Sequence, residues 1–237
     1  MLGTILDNGA DRVSCRLGSR QIESDLAPYI DHTALRPETT ADQIRTLCEE
    51  AVRCGFASVC INPCWVPFAA DLLGGCRVPV CSVVGFPLGA TTPTAKAFET
   101  REAVRSGASE IDMVINIGKL KGKNYRAVAD DIRAVVDGSG AAQVKVILET
   151  ALLTDEEKIV ASAICREAAA DFVKTSTGFS TAGATVEDIV LIRRTIGQDM
   201  RIKAAGGIRT RAAARALISA GADRLGASAS VKMVSEP

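Results

Sequence analysis

The fold is decided by a repeating pattern that residues 144–176 show in full: VKVILETALLTDEEKIVASAICREAAADFVKTS. The two ends, VKVILE and FVKTS, are short apolar runs of the kind found in buried strands. Between them, residues 155–169 leave room for a helix and two short loops. Strands joined by a crossover of this length run parallel to each other. The stretch therefore predicts one strand–helix–strand unit.

Similar short apolar runs recur along the whole chain. They are IDHTAL (30–35), SVCIN (58–62), VCSVVGF (80–86), EIDMVIN (110–116), VKVILE (144–149), FVKTS (172–176), RIKAAG (201–206) and DRLGAS (223–228). Helical stretches at residues 94–106, 125–136, 155–169, 187–196 and 211–220 separate later runs. Eight such units favour closure, because open doubly wound sheets usually have fewer strands. We predict an α/β fold, a single-domain (β/α)8 TIM barrel at residues 25–237, after a short N-terminal extension at residues 1–24.

The composition limits the classes of partner. With 237 residues, 47% of them hydrophobic, the chain has room for one large core and hardly for a second domain. Its 28 basic and 28 acidic residues cancel, so no global field favours nucleic acid or an anionic membrane. We find neither a long uncharged apolar segment nor a signal peptide, which predicts a soluble, cytoplasmic protein. The eight cysteines are expected to be free thiols, since such a core needs no disulfide framework.

Charged residues interrupt the apolar runs at Asp112, Lys145, Lys174 and Lys203. Barrel interiors are normally filled with branched apolar side chains, and an unpaired charge there is strongly disfavoured. One interpretation is that each lysine lies at a strand end and extends its ammonium group into solvent. Four interruptions together instead indicate a functional cluster.

Together with Asp31, these four residues are predicted to converge near the carboxyl-end face, where barrel enzymes build their sites. The pKa of a free lysine is about 10.4, so an amine nucleophile at neutral pH needs a pKa about three units lower. Desolvation and a neighbouring ammonium group both act in that direction. Lys174 and Lys203 lie on adjacent predicted strands, so one is a plausible perturber of the other. Asp112 could then transfer protons, directly or through water.

Two glycine-containing loops predict a phosphate site. AAGGIRT spans the end of the seventh run and the loop after it, and LGASAS spans the end of the eighth run and the loop after it. In barrels of this kind, the loops at these two positions form the common phosphate site. Gly206 and Gly207 allow backbone N–H groups to approach an anion, and Thr210 and Ser228 could cap helix N-termini. The alternative is that either loop alone is an ordinary turn.

Other motifs are weak. Cys60 and Cys64 form a C-x₃-C pair without a second pair or a histidine partner, and His32 is the only histidine, so we predict no metal site. GFPLG at residues 85–89 lacks the spacing of a dinucleotide-binding loop. We therefore expect no cofactor.

Eight segments together resemble the deoxyribose-phosphate aldolase family from about residue 31 to residue 234. They are DHTALRP, VCINPCWV, VVGFPLGATT, EIDMVINIG, KVILET, DFVKTSTGF, IKAAGGIRT and RLGAS. The resemblance implies a class I aldolase that reversibly cleaves 2-deoxy-D-ribose 5-phosphate into D-glyceraldehyde 3-phosphate and acetaldehyde. It implies that Lys174 forms the Schiff base, that Lys203 lowers the pKa of Lys174, and that Asp112 donates and accepts protons. Lys145 and Asp31 become supporting members.

The same resemblance assigns the phosphate contacts. They fall on Gly178, Gly206, Gly207, Gly226 and Ser228, with Arg209 nearby. Ala229 and Phe179 depart from patterns with serine and lysine, which puts phosphate affinity and selectivity in question. A homodimer or other homo-oligomer is a further family expectation. A metal-dependent aldolase or isomerase and a non-catalytic phosphosugar-binding protein remain the alternatives.

Overall fold

The computed structural model describes residues 25–235 and contains a closed barrel of eight parallel strands paired in chain order. The strands are β1 (Ile30–Ala34), β2 (Ser58–Ile61), β3 (Val80–Val84), β4 (Glu110–Val114), β5 (Gln143–Ile147), β6 (Phe172–Lys174), β7 (Arg201–Ala205) and β8 (Arg224–Ala227). The predicted TIM barrel is confirmed. The predicted extension, residues 1–24, lies outside the described residues, and the domain boundary at residue 25 stays a prediction.

The α-helices of the described residues lie outside the barrel, and all but the last connect consecutive strands. They are α1 (Ala41–Cys54), α2 (Val66–Leu72), α3 (Pro93–Arg105), α4 (Ile117–Lys121), α5 (Tyr125–Ser139), α6 (Asp155–Glu167), α7 (Val186–Ile196), α8 (Arg211–Ser219) and α9 (Ser230–Ser235). Helix α6 begins after a capping box in which Thr154 and Glu157 each bond the other's backbone N–H. Among residues 25–235 we find no helix with the length and apolar character needed to cross a membrane.

Strand alternation sends side chains to two different environments. Ile111 and Met113 of β4, like Val144 and Val146 of β5, belong to the large apolar core between strands and helices. The opposite faces of the strands form the barrel interior. There, a small apolar cluster is formed by Leu35, Cys60, Cys81 and Val83, with Phe86 packed against it. Charged side chains take up much of the remaining interior.

The cysteines correct one expectation. Six are free in the described part of the chain, at positions 48, 54, 60, 64, 81 and 165. Cys76, in the segment between α2 and β3, is disulfide-bonded, so the expectation of free thiols only is wrong. That expectation rested on the size of the core, which says nothing about a single bridge in a loop. Cys15 lies outside the described residues.

Candidate active site

Asp112, in the middle of β4, is the centre of the charged cluster. Its Oδ2 accepts hydrogen bonds from the Nζ atoms of Lys174 and Lys203, each at 2.7 Å, and its Oδ1 accepts one from Lys145 at 2.9 Å. All four side chains are almost completely buried. The two lysines that share Oδ2 are register partners on β6 and β7. Their ammonium nitrogens therefore lie within twice 2.7 Å of each other.

A second set of carboxylates surrounds these lysines. Asp31 Oδ2 lies 2.5 Å from Lys203 Nζ, and Glu110 Oε2 lies 2.7 Å from Lys145 Nζ. Arg224, at the beginning of β8, bridges the two carboxylates by pairing with Asp31 at 3.1 Å and with Glu110. Positive and negative groups thus alternate, as buried charges require.

The pairing determines which protonation states the interior favours. Burial raises the pKa of Asp112, but the ammonium groups of Lys145, Lys174 and Lys203 outweigh it and hold that pKa well below its usual value. Burial lowers the pKa of Lys203, yet the carboxylates of Asp112 and Asp31 outweigh this and raise it. Lys203 is therefore held as an ammonium group, a proton donor, and Asp112 as a carboxylate.

The depth of the cluster differs from the expectation that all five residues lie near the carboxyl-end face. Lys174 is the last residue of β6 and lines an open pocket of about 1050 Å³. Asp112, Lys145 and Lys203 are the central residues of their strands, so they lie below the pocket floor and are fully buried. Their ammonium groups do not need solvent because carboxylates neutralise them. Lys174 is thus the one member of the predicted cluster that lines the pocket among the described residues.

The six positions predicted to contact phosphate all line the same pocket. They are Gly178, Gly206, Gly207, Arg209, Gly226 and Ser228. Gly206 has φ 90°, and a Cβ there would lie 2.9 Å from the Cα of Gly183, so a side chain is excluded. Thr210 caps α8 through the N–H of Ala213, as predicted. Helix α9 begins at Ser230, so Ser228 is not the residue before it, and its predicted capping role is wrong.

Glu149 is a buried residue that could not be recognised from the sequence. It follows β5 with φ 59°, an uncommon conformation for a residue with a Cβ, and its carboxylate accepts the N–H and hydroxyl hydrogen bonds of Thr177. The Thr177 oxygen in turn accepts from the N–H of Phe179 at 3.0 Å. Glu149 therefore anchors the loop that carries Gly178. The positive φ has no sequence signal, because glutamate rarely adopts it.

Other missed residues had a signal in strand alternation. Glu110 lies two residues before Asp112, and Arg224 two residues before Gly226, so each shares an inward face with a predicted site residue. Cys60 of β2 and Cys81 of β3 also face inward, with Sγ atoms 3.8 and 3.1 Å from the carboxylate oxygens of Asp112.

Phe179 lies at the mouth of the pocket. Its side chain is half exposed and makes an edge-on contact with Phe86, the ring centroids being 5.4 Å apart. Apolar side chains thus border the space next to Gly178, a position at which a cationic side chain would favour phosphate binding.

A family model described as the DeoC/LacD family aldolase matches residues 26–232. The chain belongs to the DeoC/LacD aldolase family. The deoxyribose-phosphate aldolase of Macrococcus caseolyticus (strain JCSC5402) is 59% identical to this chain over 210 residues. The aligned region covers 89% of this chain and 96% of that protein. The deoxyribose-phosphate aldolase of Listeria welshimeri serovar 6b is 59% identical over 211 residues, or 89% of this chain and 95% of that protein.

Solved structures agree with the DeoC/LacD assignment. The aldolase QR15 superposes with a TM-score of 0.86 at 39% identity, covering 89% of this chain and 94% of that one. The deoxyribose phosphate aldolase of Aeropyrum pernix, described as a unique tetramer, has a TM-score of 0.82 at 33% identity and covers 99% of this chain and 97% of that one. The family identified from the sequence therefore agrees with the fold shared with these solved structures.

Proposed function

We propose that this chain is a class I aldolase that reversibly cleaves 2-deoxy-D-ribose 5-phosphate into D-glyceraldehyde 3-phosphate and acetaldehyde, in the breakdown of deoxyribose. The observation that carries the proposal is the position of Lys174. Its amine lies at the floor of the pocket, 2.7 Å from a carboxylate that it shares with a second lysine, while glycine loops line the pocket above it. The names of close relatives support the same substrate.

In the first step, the neutral amine of Lys174 attacks the C1 aldehyde of the open-chain sugar and forms a carbinolamine. The ammonium group of Lys203, 2.7 Å from the same carboxylate oxygen, donates a proton to the departing hydroxyl, which leaves as water. The product is an imine with a positive nitrogen. Asp112 lies beside both nitrogens and stabilises that positive charge.

In the second step, Asp112, directly or through water, takes the proton of the C3 hydroxyl group while the C2–C3 bond breaks. The bonding electrons move into an enamine on Lys174, and D-glyceraldehyde 3-phosphate leaves. Protonation of the enamine carbon and hydrolysis of the resulting imine release acetaldehyde and restore the amine. Lys145 and Asp31 hold Asp112 and Lys203 through the ion pairs described above. The step sequence uses only groups of this chain and water.

The phosphate group would be held by backbone N–H groups of the loops containing Gly178, Gly206 and Gly226, with Arg209 nearby. Because Phe179 faces this region, we propose that selectivity for phosphorylated over non-phosphorylated aldehydes is modest. We also propose that the chain forms a homo-oligomer, supported by the tetrameric relative from Aeropyrum pernix, and that it acts in the cytoplasm, where charged phosphosugars are retained.

The deciding experiment is to incubate the protein with acetaldehyde, reduce it with borohydride, and locate the adduct by peptide mass spectrometry. We expect an ethyl group on Lys174 and none after Lys174→Met. Lys119→Met, which removes an exposed lysine on α4, should label like the wild type. Adducts spread over surface lysines would contradict the Schiff-base assignment.

Measurements of turnover distinguish this proposal from two alternatives. A non-catalytic phosphosugar-binding protein would bind 2-deoxyribose 5-phosphate without releasing acetaldehyde, and a coupled alcohol dehydrogenase assay detects that release. A metal-dependent aldolase would lose activity when dialysed against EDTA, whereas the proposed mechanism predicts full activity after that treatment.

A further inference from the structure

Two thiols lie side by side inside the barrel, next to the central carboxylate. Cys60 on β2 and Cys81 on β3 are register partners, and both are completely buried. Their sulfur atoms and an oxygen of Asp112 all lie within 4.8 Å of one another. The aldolase reaction described above assigns no step to either thiol. Cys64, the other half of the C-x₃-C pattern, is exposed and lies outside this group.

We propose that Cys60, Cys81 and Asp112 form an inhibitory binding site for thiophilic divalent cations such as Zn²⁺ and Cd²⁺. The binding part of the proposal stands on the three side chains alone. The inhibitory part rests on the proposed aldolase function, because its readout is turnover.

The spacing of the ligand atoms suits a tetrahedral ion. Zinc binds cysteine sulfur at about 2.3 Å and carboxylate oxygen at about 2.0–2.2 Å, so neighbouring ligand atoms in a tetrahedron lie roughly 3.5–3.8 Å apart. The sulfur of Cys60 is 3.8 Å from one oxygen of Asp112, and that of Cys81 is 3.1 Å from the other. The three ligand atoms lie within 4.8 Å of one another, so side-chain adjustments of at most about 1 Å complete three tetrahedral positions, and water supplies the fourth.

The charge balance also permits an ion in this interior. Binding to two thiols breaks two S–H bonds, forms two metal–sulfur bonds and releases two protons to water. One divalent cation therefore replaces two protons, and the net charge that faces Lys145, Lys174 and Lys203 does not change. The hydrogen bond with Cys81 lowers the pKa of the Cys60 thiol, whereas burial raises the pKa of the Cys81 thiol well above its usual value, so the metal ion must displace the second proton as its bond to that sulfur forms. Hard cations such as Mg²⁺ gain little from sulfur ligands, so the site should discriminate against them.

Inhibition follows from the ligand that the two thiols share with the lysines. Asp112 accepts hydrogen bonds from both Lys174 and Lys203, and an oxygen bound to a metal ion is a poorer acceptor for them. The carboxylate would then lose its ability to take a proton from substrate. Access passes through the pocket floor at Lys174, so we expect slow onset.

The test measures Cd²⁺ binding to chelator-stripped protein by equilibrium dialysis and by the ultraviolet charge-transfer band of cadmium thiolates. Wild type and Cys64→Ser should bind with equal affinity, whereas Cys60→Ser and Cys81→Ser should each bind at least about 10-fold more weakly. Undiminished binding in both of the latter variants, or a loss in Cys64→Ser, would overturn the site. X-ray absorption of the Zn²⁺ complex of Cys64→Ser needs neither buried variant, and it should show two sulfur ligands; one or none also overturns the site.

The inhibitory role has a separate readout. Zn²⁺ and Cd²⁺ should slowly abolish acetaldehyde release, EDTA should restore it, and Mg²⁺ should have no effect. A stoichiometric Cd²⁺ complex with unchanged turnover would refute inhibition. If acetaldehyde is never released, the aldolase proposal fails, while dialysis and spectroscopy still decide whether the metal site exists.

Discussion

Replacing Asp112 with asparagine should destabilise the protein more than any exchange of a surface aspartate. The buried cluster has four positive groups and three carboxylates: Lys145, Lys174, Lys203 and Arg224 against Asp31, Glu110 and Asp112. Asp112→Asn removes one negative charge without changing the volume of the side chain. Within residues 25–235, Asp112 is the only carboxylate paired with Lys174, whereas Lys203 keeps Asp31 and Lys145 keeps Glu110.

The size of the effect follows from the buried charge that is left unpaired. Removing one partner of a buried ion pair costs about 3–5 kcal/mol of unfolding free energy. At roughly 2–4 °C per kcal/mol for a domain of this size, the melting temperature should fall by about 6–20 °C. Turnover should also fall by about 10²–10⁴-fold, because the proposed proton acceptor is lost.

Urea unfolding at pH 7, in the wild-type and Lys174→Leu backgrounds, tests this explanation. With Lys174 absent, the cost of Asp112→Asn should shrink by about 1–3 kcal/mol. Asp130→Asn is the matched control, since Asp130 is an exposed residue of α5 whose ion pair with Arg133 spans 3.5 Å, and it should cost less than about 1 kcal/mol. An equal cost of Asp112→Asn in both backgrounds would refute the claim that Lys174 depends on this carboxylate.

Three further predictions follow from the same contacts. Lys203→Leu should lower turnover by about 10²-fold or more, because it removes a positioned proton donor. Borohydride trapping should still find the adduct on Lys174, and its absence even at about pH 10, where an appreciable fraction of free lysine amines is neutral, would overturn Lys174 as the nucleophile. Glu149→Gln should weaken the anchoring of Thr177 and lower kcat/KM for 2-deoxyribose 5-phosphate by about 10-fold, with little effect on kcat/KM for non-phosphorylated 2-deoxyribose. An equal loss for both sugars would argue against a role of Glu149 in positioning the phosphate-binding loop. Burial raises the pKa of Asp31, but Lys203 and its neighbours outweigh burial and lower that pKa. The stability that Asp31 contributes is therefore complete above about pH 4 and declines as the pH falls further. The difference in unfolding free energy between wild type and Asp31→Asn should be equal at pH 5 and pH 8, and a steep change between those values would contradict the lowered pKa.

The barrel could be predicted from the sequence because each strand carries a strong local signal. Residues 155–169 were predicted as a helix, and α6 spans Asp155–Glu167. The interior charges were found for the same reason, since charged residues within apolar runs are conspicuous. Alternation of side chains then placed Lys174 and Lys203 on the same face as their strand neighbours.

The vertical position of these residues could not be predicted from the sequence. Depth depends on the register between strands, which is a property of the closed sheet and of its tilt. A fully buried Lys145 or Lys203 cannot be inferred from composition alone, because the cost of burying it depends on the carboxylates of Glu110 and Asp31, which lie far away in the chain. Glu149 was missed because its role depends on backbone geometry after β5 and on Thr177, 28 residues later.

Arg224 and Glu110 each stand at the first residue of their strand, where they close the amino-terminal end of the barrel with a buried ion pair. Ionic closure at that end leaves the pocket mouth as the route by which substrate reaches Lys174. It also separates two tasks in the sequence: the strands hold the reactive charges, while the loops that follow them hold the groups that recognise substrate. Exchanging those loops for others should therefore retarget this scaffold to new aldehydes without rebuilding its reactive interior.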